Sequence, residues 1–150
     1  MSKNNAQTEP TFDIIAQGVR DLSFENQLAF GATLSEQPEI DVNIQANGKK
    51  INEENYEVML VIRVEAKQKE KILFLIELQY AGLCQAQNVS ADVLPSLLMI
   101  QTPTFLFPYA RQIISDTTSQ AGLPPLFLQP VDFAALYRNQ QEKAGVAGNA

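Results

Sequence analysis

The sequence predicts an α+β domain, a four-stranded antiparallel sheet followed by two main C-terminal helices. Three observations carry this. Strand-like text with side chains alternating at period 2 recurs between Thr11 and Leu83. The last two of these stretches are joined by the short charged segment Lys67 to Lys71, which suits an antiparallel hairpin. After Cys84 the apolar spacing changes to three and four residues, punctuated by prolines and by Gly122.

Residues 1–10 read as a disordered lead-in. The first strand spans Thr11 to Phe24, with its alternation broken at Gly18 and Arg20-Asp21, where a bulge is expected. Residues 27–38 form a loop. Ile40, Val42 and Ile44 then alternate with Asp41, Asn43 and Gln45 as a half-buried strand, and Asn47-Gly48 marks a turn. Tyr56, Val58, Leu60, Ile62 and Val64 share one face of the third strand. In the fourth, Ile76, Leu78 and Tyr80 share a face, with Leu75, Glu77 and Gln79 opposite.

Residues 91–100 hold a short helix broken by Pro95. A longer helix is expected to start near Pro108, because proline suits a first turn and disfavours helix before it. Ala110, Ile113, Ile114, Thr117 and Ala121 form its apolar stripe, and Gly122 its stop. Leu123 to Val131 is an apolar, proline-rich loop. Asp132 N-caps the last helix, Val131 and Leu136 occupy the positions of a hydrophobic staple, and Phe133, Leu136 and Tyr137 make its apolar face. One domain is thus expected over residues 11–140, with a flexible tail over 141–150.

Composition bounds the function. Of 150 residues, 45% are apolar and 19% charged, which is globular chemistry and not that of a disordered chain. A net charge of −6 argues against a phosphate-backbone partner and suits a basic protein partner. The chain has no histidine and one cysteine, so histidine triads, histidine metal sites and an internal disulfide are excluded. No Gly-rich phosphate loop is present, and no cofactor is expected. The polar opening stretch lacks the apolar centre of a secretory leader, and no apolar run has the length of a membrane span, so a cytoplasmic location is expected.

Four segments, in order, resemble the SecB family of protein-export chaperones. Phe105-Leu106-Phe107-Pro108-Tyr109-Ala110-Arg111 resembles its "LFPYAR" segment, and Asp21-Leu22-Ser23-Phe24-Glu25 its "KDISFE" segment. Tyr56-Glu57-Val58 resembles its third-strand entry, and Leu126 to Leu136 its "LNLAPVNFDAL" segment. The resemblance implies a homotetrameric dimer of dimers with helices between two eight-stranded sheets. It implies an ATP-independent holdase that binds unfolded secretory precursors and delivers them to the SecA ATPase, with no enzymatic activity. It also implies a SecA contact on the outward sheet face, here Asp21, Glu25, Leu75 and Glu77. SecB tails often carry more acids. From Asn139 to Ala150 the only acid is Glu142, beside Lys143, which argues against an acidic tail contact.

Two further surfaces are expected. The loop Leu123 to Val131 is hard to bury on its own chain, so either another subunit covers it or it lines a site for apolar segments; in the second case a groove for unfolded clients would be lined by Ile40, Val42, Ile44, Leu126, Leu128, Val131, Phe133, Leu136 and Tyr137. A subunit interface would use Ile76, Leu78, Tyr80, Ile113 and Ile114. Phe107 is expected in the core and Cys84 as a small packing residue. Glu53-Glu54 reads as a solvated loop and not a catalytic pair, since sequence neighbours rarely converge. The alternatives are a SecB-like chaperone dedicated to a toxin–antitoxin partner, and a small enzyme with an apolar pocket for which no nucleophile, base or metal set can be assembled.

Overall fold

The computed structural model describes residues 9–30, 32 and 37–148. Its elements are β1 (Thr11–Asn26), β2 (Glu39–Lys50), β3 (Asn55–Gln68), β4 (Lys71–Gln87), α1 (Leu94–Ser96), a π-helical turn (Leu97–Gln101), α2 (Thr102–Gln120) and α3 (Phe133–Gly148). The strands form one antiparallel sheet in the order β1-β4-β3-β2. The lead-in of residues 1–10 lies almost wholly outside the described residues.

Alternation gives the sheet two unlike faces. Val58, Leu60, Ile62 and Val64 on β3, with Ile76, Leu78 and Tyr80 on β4, point to an inner face that α2 covers. Pro103, Leu106, Phe107, Ala110, Ile114 and Thr118 are buried along α2 and close the core. Phe107 meets Phe133 of α3 edge-on at 5.8 Å between ring centroids. Leu106 packs directly over Gly82 of β4. A Cβ there would lie 3.1 Å from a methyl of Leu106. Cys84 is fully buried beside Thr102, and burial pushes its thiol up, against the opposing effect of that hydrogen bond.

Several local expectations are corrected. The irregularity of β1 is two register shifts, at Ile14/Ala16 and Val19/Asp21, which flank Gly18. Asn47-Gly48 is not a turn. β2 pairs with β3 without interruption to Lys50, and the reversal falls at Ile51–Glu54, where the Asn52 carboxamide accepts from the Glu54 and Asn55 amides. Gly48 faces Met99, whose sulfur would be 3.2 Å from a Cβ at that position. The long helix does not begin at Pro108. Pro103 takes the first turn and Pro108 lies inside α2, on its exposed side. The π-helical turn, closed by Thr102 Oγ1 donating to the Leu97 carbonyl at 2.7 Å, joins α1 to α2.

Gly122 ends α2 at φ +79°, with its amide on the Ser119 carbonyl and that of Leu123 on Thr118, a Schellman closure. Asp132 caps α3 through the Ala135 amide at 3.1 Å. α3 continues to Gly148, so residues 141–148 are helical where a flexible tail is expected.

Candidate functional site

At the end of the sheet where β1 leaves and β2 and β4 begin, the loop after α2 forms an apolar cleft of about 630 Å³. Leu28, Pro38, Ile40, Leu73, Phe74, Leu123, Pro124, Pro125 and Leu126 contribute to its walls. A register shift at Ala66/Lys67 turns Leu73 into this wall, although simple alternation would send it outward. The loop is held open by two polar clamps from α2. Thr118 Oγ1 accepts the Leu126 amide at 3.0 Å, and Arg111 Nε donates to the Leu128 carbonyl at 2.7 Å. Both clamps satisfy backbone groups that helix or sheet would otherwise serve.

Of the nine residues expected in the client groove, Ile40 and Leu126 line this cleft. Val42 and Ile44 follow Ile40 along the same face of β2, Val42 exposed and Ile44 partly buried. Leu128 and Phe133 are buried, at 3% and 2% exposure, and belong to the core; loop alternation points Leu128 inward, and Phe133 fills the space against Phe107. Val131 and Leu136 pack against the core's rim, and Tyr137 is partly buried with its hydroxyl bonded by Gln141. α3 packs on the π-helical turn, and that turn on β2, so these residues stand apart from the cleft. Leu28, Pro38 and Leu73 are cleft residues that sequence reasoning missed. Only the crossing of the β1–β2 connection with the start of β4 brings them together.

The expected interface set is also corrected. Ile76, Leu78 and Ile114 have no exposed surface and Tyr80 has 6%, because α2 of the same chain already covers them. Ile113 is partly buried. Side chains already enclosed in their own subunit cannot touch another. Besides Ile40 and Val42, exposed apolar groups on this side include Val19 and Leu22 of β1, with Phe105 and Tyr109 of α2.

The outer sheet face brings together all four residues of the proposed SecA contact. Register pairs Glu25 with Leu75, Ser23 with Glu77 and Asp21 with Gln79. Leu75 is half-buried between Glu25 on β1 and Glu65 on β3. Glu77 is not a free charge. Arg63, its partner across β3, forms an ion pair with it, and also lies 4.0 Å from Glu65, which Lys67 approaches at 3.5 Å. Sequence reasoning missed Arg63 and Glu65, although their alternation on β3 places them opposite Glu77 and Leu75.

A polar hollow of about 720 Å³ at the other end of the sheet carries Glu9, Glu53 and Glu54. Its lining suits water better than an apolar segment. Among the described residues no group of histidine, cysteine and carboxylates could hold a metal, and no helix is long and apolar enough to cross a membrane.

Fold and cleft together define a class: a two-layer α+β protein with one sheet face packed on a helix, the other open, and an apolar cleft at the sheet's end. The chain belongs to the SecB family, chaperones of protein export. The family model described as preprotein translocase subunit SecB matches residues 5–144. The chain is 40% identical over 139 residues to the protein-export protein SecB of Bartonella quintana, covering 91% of this chain and 88% of that one. It is 41% identical over 143 residues to that of Parvibaculum lavamentivorans, covering 94% and 85%. Among solved structures, a SecB-like chaperone of Mycobacterium tuberculosis, in complex with an antitoxin peptide, superposes with a TM-score of 0.67 at 14% identity, over 80% of this chain and 90% of that one. That likeness shows the shared fold.

Proposed function

We propose that this chain holds unfolded secretory precursors in a translocation-competent state without ATP and hands them to the SecA motor, working in the cytoplasm as a dimer of dimers. The observation that carries the reading is the apolar cleft between the β1–β2 connection and the Leu123–Leu126 loop, continued by Ile40 and Val42 along β2. An extended segment laid there would bury side chains at about 25 cal/mol per Å², with no demand for a particular sequence. Weak contacts repeated along one client add up through high effective concentration. Family membership favours export over an antitoxin-dedicated role: the relatives near 40% identity are named protein-export proteins.

Delivery would use the outer face, with Leu75 as apolar centre and Asp21 and Glu25 as its rim. A chain of net charge −6 steers a basic partner there, at rates that fall with salt. Tetramer contacts would fall on Val19, Leu22, Phe105 and Tyr109.

The test pairs an aggregation assay on an unfolded precursor with calorimetry against SecA. Wild type should suppress aggregation without ATP. Leu75→Gln should weaken SecA binding more than Asp21→Ala with Glu25→Ala, since anchors outweigh rim charges, and both should still hold precursor. Wild type that fails to suppress aggregation would refute the holdase reading. Unchanged SecA affinity in both variants would refute the docking surface.

A further inference from the structure

We propose that Arg63 decides where a basic partner docks on the outer sheet face: by occupying Glu77 it neutralises the β3–β4 half of the patch around Leu75 and leaves the partner's cation to Asp21 and Glu25 on β1. The inference deepens the docking reading above and rests on it. Register puts Arg63 directly across from Glu77, and Glu65 directly across from Leu75. Side chains so placed on one face of an antiparallel pair are close enough to interact. Arg63 forms an ion pair with Glu77 through one guanidinium nitrogen and stands 4.0 Å from Glu65 through another. Lys67 reaches Glu65 at 3.5 Å. The Arg63 and Glu77 side chains are each 50% exposed, so a docking partner can reach the pair, whereas Glu65 is mostly covered.

The two halves of the patch therefore differ in charge. On β3 and β4, Arg63 and Lys67 match Glu65 and Glu77. On β1, Asp21 and Glu25 lie across from Gln79 and Leu75, and among the described residues neither has a cation within ion-pair distance. Arg20, beside Asp21 in sequence, falls at the Val19/Asp21 register shift and lines the hollow around Gly18 together with Glu57. At physiological salt the field of an exposed charge fades over about 8 Å, so an approaching cation responds to the nearest acid that is not already matched. To use Glu77 it must first displace Arg63. Arg63 thus acts through Glu77, as a positioning residue. An exposed pair of this kind adds little to stability, so either partner can be replaced with the fold intact.

The experiment measures the affinity of the full chain for SecA by calorimetry, at about 0.15 M salt and above. Arg63→Gln frees Glu77 and should tighten binding about threefold, the size of one exposed charge contact, with a steeper loss as salt rises. Arg63→Lys keeps the charge and should bind as wild type does. Glu77→Gln should leave affinity near that of wild type while Arg63 is present, and should cancel the gain when combined with Arg63→Gln, so the two changes do not add. Unchanged or weaker binding by Arg63→Gln, an equal gain in Arg63→Lys, or additive effects of the two changes would overturn the proposal. Leu75→Gln and Asp21→Ala with Glu25→Ala test the docking reading separately. If both bind SecA as wild type does, that reading fails and this inference with it; if they weaken binding while Arg63→Gln gains nothing, only this inference fails.

Discussion

Thr118→Val removes one hydroxyl from the inside of the protein and tests how the loop after α2 is held. Thr118 is fully buried. Its Oγ1 accepts the Leu126 amide at 3.0 Å and lies 2.9 Å from the Ser115 carbonyl, to which it can donate. Valine keeps the shape. The helix carbonyl retains its backbone partner, so losing the donor there costs little. The Leu126 amide loses an acceptor in a partly buried place, a penalty of about 1–2 kcal/mol. With a urea m-value near 2 kcal/mol per M, the unfolding midpoint should fall by about 0.5–1 M at fixed protein concentration. Hydrogen exchange at Leu126 locates the effect: its amide should lose protection in Thr118→Val and keep it in Thr118→Ser. Client affinity should fall as well, because a loosened loop must be ordered again on binding. An unchanged midpoint with a still-protected Leu126 amide would refute the argument that this hydroxyl holds the loop.

Two further perturbations separate core from interface. Leu78→Glu should unfold the subunit, since it strands a charge under α2, whereas Leu22→Glu, at its 41% exposed neighbour on β1, should leave the fold intact and dissociate the proposed tetramer. Circular dichroism with light scattering distinguishes these, and a folded Leu78→Glu chain would contradict the placement of the core. Gly82→Ala would press a methyl against both Leu106 methyls, at 3.1 and 3.2 Å, and should cost about 1–3 kcal/mol by overpacking, read as a lower thermal midpoint. An unshifted midpoint would mean that α2 can lift away without loss.

Much of the fold was legible because it rests on local rules. Period-2 patterning assigned both faces of β3 and those of β4 from Phe74 to Tyr80, Asp132 announced its cap, and Gly122 its positive φ. Where prolines competed, local rules were insufficient. Pro103 and Pro108 both satisfy the rule for a helix start, and the packing of Leu106 and Phe107 against the sheet decided for the first. Asn47-Gly48 reads as a turn until β3 is seen to pair with β2 through both residues to Lys50.

The same division runs through the candidate site. That Asp21, Glu25, Leu75 and Glu77 share a face followed from alternation, since period 2 leaves no other choice once strands pair in register. That Arg63 pairs with Glu77 required knowing which strands are neighbours. Hydrophobicity alone could not say which apolar side chains were free. Leu78, Ile114, Leu128 and Phe133 look in the sequence like Ile40, Leu22, Leu126 and Phe127. By itself the sequence determined the elements, their faces and the family, because those depend on residues near one another or on the pattern as a whole. Only the tertiary structure decided which apolar surface α2 and the sheet bury against each other and which is left for a client or another subunit, because burial depends on what packs opposite.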